Sequence, residues 1–143
     1  MNLFTIGFSG KTAEEFFKLL VENKVKKLID IRLNNRSQLA SFTNIKHLPY
    51  LLKIHNIEYV YMPELAPTSE LLDSYKKNKI SWENYEKNYN QILIDRKIIS
   101  QIEIEKFKNA VLLCSEPTAE QCHRRLLAEY LYDNFKDIII KHL

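Results

Sequence analysis

The chain has 143 residues, 45% of them hydrophobic and 27% charged, as in an ordinary globular protein that can bury one core. The net charge of +3 permits nucleic-acid or nucleotide partners without requiring them. Two glycines are too few for a glycine-rich phosphate loop, and two cysteines are too few for a secreted disulfide scaffold. No stretch is apolar enough to span a membrane, and the first residues resemble a strand rather than a signal peptide. We therefore expect one cytoplasmic α/β domain, residues 1–143, with no membrane partner.

Strand-like and helix-like segments alternate along the chain, which favours a largely parallel sheet. Thr12 and Glu15 have the spacing of a capping box and predict the start of the first helix. From 68 to 107 the pattern is continuously helical, with Ser81 capping the longest helix, and we expect this insert to form a helical subdomain beside the sheet. The predicted fold class is three-layer α/β, with a mostly parallel five-stranded sheet, flanking helices and this helical insert. The predicted strands are 3–6, 25–31, 57–62, 110–114 and 137–142.

The segment 111–131 carries the densest group of chemically versatile residues. An apolar strand ends at Cys114, a polar loop follows, and a helix then carries Cys122, His123 and Arg124. A strand end that faces a helix start is where open α/β folds bind ligands, and the free amides of a helix N-terminus favour anions. The segment therefore predicts a site without naming a reaction.

The phase of that helix predicts which side chains face inward. Thr118 and Gln121 have a capping-box spacing, which predicts that the helix begins at about residue 119. Helical periodicity then places His123 toward the sheet, with Cys122 and Arg124 at the edges of the apolar stripe. A structural interpretation is also open, in which Cys122 is a small buried hydrophobe and His123 a hydrogen-bonded core histidine.

Polar residues follow every predicted strand, and the carboxyl ends of parallel strands share one edge of a sheet. Arg32 and Arg124 are predicted to clamp a phosphate or carboxylate through bidentate hydrogen bonds. For Asp30 or Arg32 taken alone, a bridge to a neighbour is an equally good interpretation. The candidate catalytic residues are Cys122, His123, Glu116 and Asp30. The candidate ligand-binding residues are Ser9, Arg32, Asn34, Ser37, Gln38, Glu64, Cys114 and Arg124.

Three chemistries compete for this set of residues. Cys114 or Cys122 could serve as a thiolate nucleophile, although the Cys-x5-Arg spacing of a phosphatase loop is absent. The same cysteines with His123 and His142 could hold a metal, but no paired spacing supports this and we predict no metal site. The carboxylates at the strand ends could hold a divalent ion for phosphodiester hydrolysis. The sequence selects none of these chemistries, and it leaves the cofactor and the question of enzymatic activity open.

Several motifs spread along the chain together resemble the family catalogued as domain of unknown function 488. The resemblance implies an α/β domain in which these polar motifs lie together, and it implies no particular reaction. Two positions depart from the family pattern: Phe8 stands where the family has histidine, and Gln38 stands where it has arginine. The motifs are Thr5-Ile-Gly-Phe-Ser9, Leu28-Ile-Asp-Ile-Arg32, Ile57-Glu-Tyr59, Pro63-Glu-Leu65, Leu112-Leu-Cys-Ser-Glu116 and Cys122-His-Arg124.

These observations give three hypotheses for function. The first is an enzyme that acts on a phosphorylated or nucleic-acid substrate in a polar, anion-accepting pocket at the strand carboxyl ends. The second is a non-catalytic module that binds a nucleotide, a nucleic acid or a protein, with a homodimer as a further compatible assembly. The third is a redox-responsive protein that uses Cys114 and Cys122, although a cytoplasmic location predicts that both are reduced. We expect six residues to converge in one pocket: Asp30, Arg32, Glu116, Cys122, His123 and Arg124.

Overall fold

A computed structural model of the protein describes residues 1–36, 40–116 and 118–143. Its strands are β1 (Asn2–Gly7), β2 (Lys27–Asp30), β3 (Glu58–Tyr61), β4 (Ala110–Cys114) and β5 (Ile139–His142). Its α-helices are α1 (Ala13–Glu22), α2 (Leu48–Ile54), α3 (Ser69–Lys76), α4 (Trp82–Asp95), α5 (Ile98–Gln101) and α6 (His123–Phe135). Short 3-10 helices span Ser41–Thr43, Pro63–Leu65 and Ile104–Phe107.

The five strands form one parallel sheet in the order β3-β2-β4-β1-β5. All five residues of the central strand β4 are buried, because helices cover both faces of the sheet. Phe4 and Val111 face one layer, in which they pack with Phe16 of α1 and Leu52 of α2. The predicted three-layer α/β fold class is therefore confirmed.

The helical insert forms part of the opposite layer. Tyr89, Leu93 and Ile98 are fully buried in the same apolar cluster as Leu112 of β4 and Leu127 of α6. The expectation of a subdomain beside the sheet is therefore wrong, since the insert helices and α6 together cover one face. Tyr85, Tyr89 and Leu93 of α4 are buried in this shared cluster, so the insert has no separate core of its own among the described residues.

Two of the three predicted helix starts are correct. Thr12 Oγ1 accepts the amide of Glu15 at 3.1 Å at the start of α1, and Ser81 caps α4 as expected. The third is wrong, because α6 begins at His123 with Cys122 as its N-cap residue rather than at about residue 119. The disulfide described below joins Cys122 to Cys114, so the chain returns to the end of β4 before the helix begins.

The strand order opens a crevice at one edge of the sheet. β1 and β4 are neighbours, with Gly7 paired to Cys114 at their carboxyl ends. The chain leaves β1 toward α1 on one face and leaves β4 toward α6 on the other. Loops that diverge in this way leave a space between them, which is the position where parallel α/β sheets bind ligands.

Candidate functional site

A cavity of about 1050 Å³ occupies this crevice. Its wall comes from the loops after β1, β2 and β4, from the start of α6, and from α3 and α4 of the insert. Ser37 and Gln38, both predicted to bind ligand, lie outside the described residues. The other predicted site residues in the wall are Ser9, Arg32, Asn34, Cys114, Glu116, Cys122 and His123.

Three predicted site residues lie elsewhere in the described part of the chain. Asp30 is fully buried behind the wall, and Arg124 is 1% exposed on the α6 side of the sheet. Glu64 is exposed on the 3-10 helix Pro63–Leu65, where its backbone carbonyl accepts a 2.7 Å hydrogen bond from Arg96. Six residues were expected to converge in one pocket. Four of them line the cavity, namely Arg32, Glu116, Cys122 and His123, and the other two, Asp30 and Arg124, are buried next to its wall.

Asp30 is the centre of a buried hydrogen-bond network. Its carboxylate accepts two bonds from the Arg32 guanidinium, Nε at 2.8 Å and Nη2 at 2.9 Å, and a third from the Arg32 amide at 3.2 Å. The hydroxyl of Tyr59 donates a fourth at 2.7 Å. Burial and this bond to Asp30 raise the pKa of Tyr59, which therefore stays protonated. A carboxylate with four donors is well compensated for its burial and is held rigidly.

This network holds the Arg32 side chain in the wall of the cavity. Its Nη2 also donates to the carbonyl of Thr43 at 2.7 Å, and its guanidinium lies 5.6 Å from the ring centroid of Phe8. Among the described residues, Nη1 is buried and has no hydrogen-bond partner. A buried guanidinium N–H without an acceptor is costly, so Nη1 is an unsatisfied donor in a residue of the cavity wall.

Cys114 and Cys122 are joined by a disulfide whose Cα atoms are 7.5 Å apart. The expectation that both cysteines are free thiols is therefore wrong for this structure. The bond forms because the loop after β4 brings the first residue before α6 back onto the strand end. Both residues are buried, at 2% and 3% exposure, and both contribute to the wall of the cavity.

His123 faces inward, as its position in the helix predicted. Its Nε2 donates to the carbonyl of Ile31 at 2.9 Å, and its Nδ1 lies 3.7 Å from Cys114 Sγ. The ring of Tyr89 packs edge-on against it at 5.6 Å between centroids. Burial is the main cause that lowers the pKa of His123 to about 4, so the ring is neutral at physiological pH.

Arg124 does not form the predicted clamp with Arg32. Its Nη1 donates to the carbonyl of Glu116 at 2.6 Å and lies 4.0 Å from Cys122 Sγ. Burial lowers the pKa of Arg124 to about 10, which still leaves it charged at neutral pH. Any Cβ at Gly7 would collide with this guanidinium and with the Glu116 carbonyl, so glycine is required for their close approach. The structure therefore gives Arg124 the task of fixing the loop after β4.

Sequence reasoning missed several residues of the wall. Lys11 follows the first strand, and its Nζ donates to the carbonyl of Gly7 at 2.9 Å. The strand-end rule that selected Ser9 could have found Lys11 two positions later. Tyr75 and Tyr85 come from the insert, 5.1 Å apart between ring centroids, and no local motif connects them with the strand ends. Only the packing of the insert onto the sheet reveals their place.

The fold is that of a parallel α/β protein, and a cavity with both polar and apolar wall residues lies at the carboxyl ends of its strands. A family model described as Domain of unknown function DUF488 matches residues 12–131, so the chain belongs to this family. No curated protein and no solved structure matches the chain. Within the described residues, no helix is both long enough and apolar enough to cross a bilayer.

Proposed function

We propose that the cavity binds a phosphate-bearing ligand with a planar ring, a nucleotide or a segment of nucleic acid. The observation that carries this proposal is the buried, unpartnered Nη1 of Arg32 in a residue that lines the cavity. Because Asp30 and Thr43 fix the rest of the guanidinium, little side-chain entropy is lost when an anion binds to Nη1.

The charges of the wall support an anionic ligand. Among the described lining residues, Lys11, Arg32 and Lys76 are cationic and Glu116 alone is acidic. Burial is the main cause that lowers the pKa of Lys11, and the charge of Arg124 adds to it. An anion beside Lys11 would offset the repulsion from Arg124 and stabilise the charged form of the lysine.

The aromatic residues of the wall support a planar ring on the ligand. Tyr75 and Tyr85 stand on the insert side of the cavity, and Phe8 and Phe42 stand on the side of the first two helices. Nucleobases stack on aromatic side chains in binding sites that combine such rings with cationic groups. We therefore place the phosphate near Arg32 and Lys11 and the ring near the tyrosines.

A thermal-shift series on the oxidised protein tests this proposal. A nucleoside monophosphate should raise the melting temperature at millimolar concentration, and inorganic phosphate should raise it less, since binding to the native state stabilises it. Lys11→Met should reduce the rise, whereas Lys53→Met, an exposed lysine of α2 outside the wall, should leave it unchanged. If no nucleotide, phosphate or short single-stranded oligonucleotide moves the midpoint, the cavity does not serve this ligand class.

An enzymatic role would use wall residues other than Arg32 and Lys11. Of the strand-end carboxylates Asp30, Glu64 and Glu116, Glu116 alone lines the cavity among the described residues. Asp30 has its oxygens occupied by four donors, so we assign it as a positioning residue for Arg32. Glu116 is exposed at the cavity and is the candidate general base, with His123 neutral nearby in the wall. Loss of turnover on a nucleotide substrate in Glu116→Gln, with ligand binding retained, would support this assignment.

The disulfide favours redox response as a second candidate function. In the cytoplasm that the sequence predicts, protein disulfides are usually transient and serve catalysis or sensing. An incoming thiolate would attack Sγ of Cys114 or Cys122, form a mixed disulfide and release the other sulfur as a thiolate. A second thiolate would then attack the mixed disulfide, free the remaining cysteine and leave as the disulfide of the two incoming thiols. Mass spectrometry after alkylation should find both cysteines protected in the untreated protein and both modified after glutathione treatment. A bond that glutathione leaves intact would argue for a structural role only.

A further inference from the structure

We propose that the reduced protein binds one zinc ion through Sγ of Cys114, Sγ of Cys122 and Nδ1 of His123. These three ligand atoms lie within 4.8 Å of one another, and all three residues are buried. The site is independent of the phosphate ligand proposed above, since it uses neither Arg32 nor Lys11. Spacing in the sequence gives no hint of it, because the ligands belong to a strand end and a helix start that only the fold brings together.

The distances around His123 fit tetrahedral zinc. Bonds of about 2.3 Å to sulfur and 2.0 Å to nitrogen at tetrahedral angles separate sulfur from nitrogen by about 3.5 Å and sulfur from sulfur by about 3.8 Å. Nδ1 of His123 lies 3.7 Å from Sγ of Cys114, which already satisfies the first requirement. Reduction breaks the bond between the sulfurs and lets them part to the second spacing.

Hydrogen bonding orients His123 as a metal ligand. The Nε2–H group donates to the carbonyl of Ile31 at 2.9 Å, so the lone pair is on Nδ1, which faces the sulfur atoms. A backbone carbonyl on the far nitrogen is a common support for zinc-bound histidine, because it fixes both the tautomer and the ring plane. The edge-on contact with Tyr89 further restricts the ring.

The surroundings favour thiolates and leave one coordination position open. Arg124 Nη1 lies 4.0 Å from Cys122 Sγ, and Cys122 is the N-cap residue of α6, two features that stabilise a thiolate. All three ligand residues line the cavity, so a fourth position would face the ligand space. Three protein ligands with an open position are the arrangement of catalytic zinc sites rather than of closed structural ones.

Zinc binding requires prior reduction of the disulfide, and oxidation of the two thiolates reverses it. A phosphine and water reduce the disulfide to two thiols, with the phosphine oxidised to its oxide, and zinc binding then displaces two thiol protons. Hydrogen peroxide reverses the process: the two thiolates lose two electrons and form the S–S bond, zinc is released, and two protons with the peroxide give two waters.

Metal titration of the full chain tests the proposal. After phosphine reduction and removal of the reductant without oxygen, one Zn²⁺ per chain should bind in competition with a chromophoric chelator. Co²⁺ in place of zinc should give thiolate-to-metal charge-transfer absorption. The oxidised protein should bind no ion at this site, and hydrogen peroxide should release one equivalent from the reduced complex. Because this comparison uses the unaltered chain, it does not depend on whether a variant folds.

Variants identify the ligands. Cys114→Ser, Cys122→Ser and His123→Ala should each lose the tight equivalent, whereas His47→Ala, an exposed histidine at the start of α2, should retain it. Reduced protein that binds no ion, or ion binding that persists unchanged in both serine variants, would overturn the zinc site. The thermal shift by nucleotides is measured on oxidised, metal-free protein, so its failure and the failure of zinc binding are separate results.

Discussion

Two polar clusters lie at the same edge of the sheet, and they differ in where their short hydrogen bonds go. The β2 network consists of Asp30, Arg32, Thr43 and Tyr59, and the sulfur cluster consists of Cys114, Cys122, His123 and Arg124. In the first, the β2 network, all four donors around the carboxylate lie between 2.7 and 3.2 Å. In the second, the sulfur cluster, the shorter bonds of His123 and Arg124 go to backbone carbonyls, and the contacts within the cluster are long ones to sulfur.

This difference separates a structural task from a chemical one. A buried carboxylate with a full set of donors has no electron pair left for a substrate, so the β2 network holds Arg32 in place. The sulfur cluster keeps a bond that can be reduced and a ring nitrogen whose partner is a sulfur atom. We infer that the redox and metal chemistry proposed for this edge belongs to the second cluster, and that the first cluster contributes a positioned charge.

Removal of Asp30 should give the largest effect. Asp30→Ala leaves the Arg32 guanidinium buried without its counter-ion, which costs about 3–5 kcal/mol of unfolding free energy. The double variant Asp30→Leu with Arg32→Met should lose less, because it leaves no unpaired charge. Urea denaturation of both variants measures the difference. A single variant that loses under about 1 kcal/mol would show that the β2 network is solvated rather than buried.

Reduction of the disulfide should give the next largest effect. The bond joins residues eight positions apart, and loop-closure entropy at this spacing corresponds to about 2.5 kcal/mol at 25 °C. Denaturation with and without a phosphine, both with a chelator present so that no zinc compensates, measures it. The double variant Cys114→Ser with Cys122→Ser serves as a control and should not respond to the phosphine. Equal stability before and after verified reduction would assign the bond no role in stability.

The two adjacent arginines of α6 offer a matched pair, because Arg124 belongs to the sulfur cluster and Arg125 lies outside it. Arg124→Ala should cost about 2 kcal/mol, because it leaves a void and an unbonded Glu116 carbonyl beneath the loop. Arg125→Ala should cost under about 1 kcal/mol, because its ion pair with Glu129 is partly exposed. Chemical denaturation of the two variants measures this difference, and equally small losses would favour the sequence-based hypothesis that Arg124 binds ligand.

Much of the fold could be predicted from the sequence because each element carries local signals. The run Ala110–Cys114 matches β4 exactly as predicted, and the cap at Thr12 is present. The sequence predicts β2 and β3 to be longer than they are, over 25–31 and 57–62. Their length is set by the pairing of 27–30 with 58–61 and not by their apolar character. The start of α6 was missed because a contact between Cys114 and Cys122 overrides the capping signal.

The site was less predictable, because its properties depend on contacts between elements distant in sequence. The cavity lies at the edge of the sheet that the strand ends indicate, and Arg32 is part of its wall. Arg124 does not line the cavity, because its guanidinium bonds to the carbonyl of Glu116 and occupies the space above Gly7. The periodicity of the sequence does not show these contacts. The tyrosines of the wall depend on where the insert packs, a property of the whole cluster rather than of its sequence.

The pH dependence of stability should show the smallest effect, at the far side of β1 from the two clusters. His142 Nδ1 lies 2.6 Å from the hydroxyl of the buried Thr5, and burial is the main cause that lowers the pKa of His142 from its ordinary value of 6.5. The unfolded chain therefore binds a proton more readily than the folded one, so this contribution is present above about pH 6.5 and is lost as the pH falls.

His142→Asn isolates that contribution, since the asparagine side chain can still bond to Thr5 but does not titrate. Between pH 7.5 and 5.5, the urea midpoint of the unaltered protein should fall slightly further than that of the variant. His123, whose pKa is lowered to about 4, acts in the same direction in both proteins and cancels in the comparison. Parallel midpoints across this range would mean that His142 titrates alike in the folded and unfolded chains. Of the two histidines whose pKa burial lowers, His123 alone would then remain as a source of acid sensitivity.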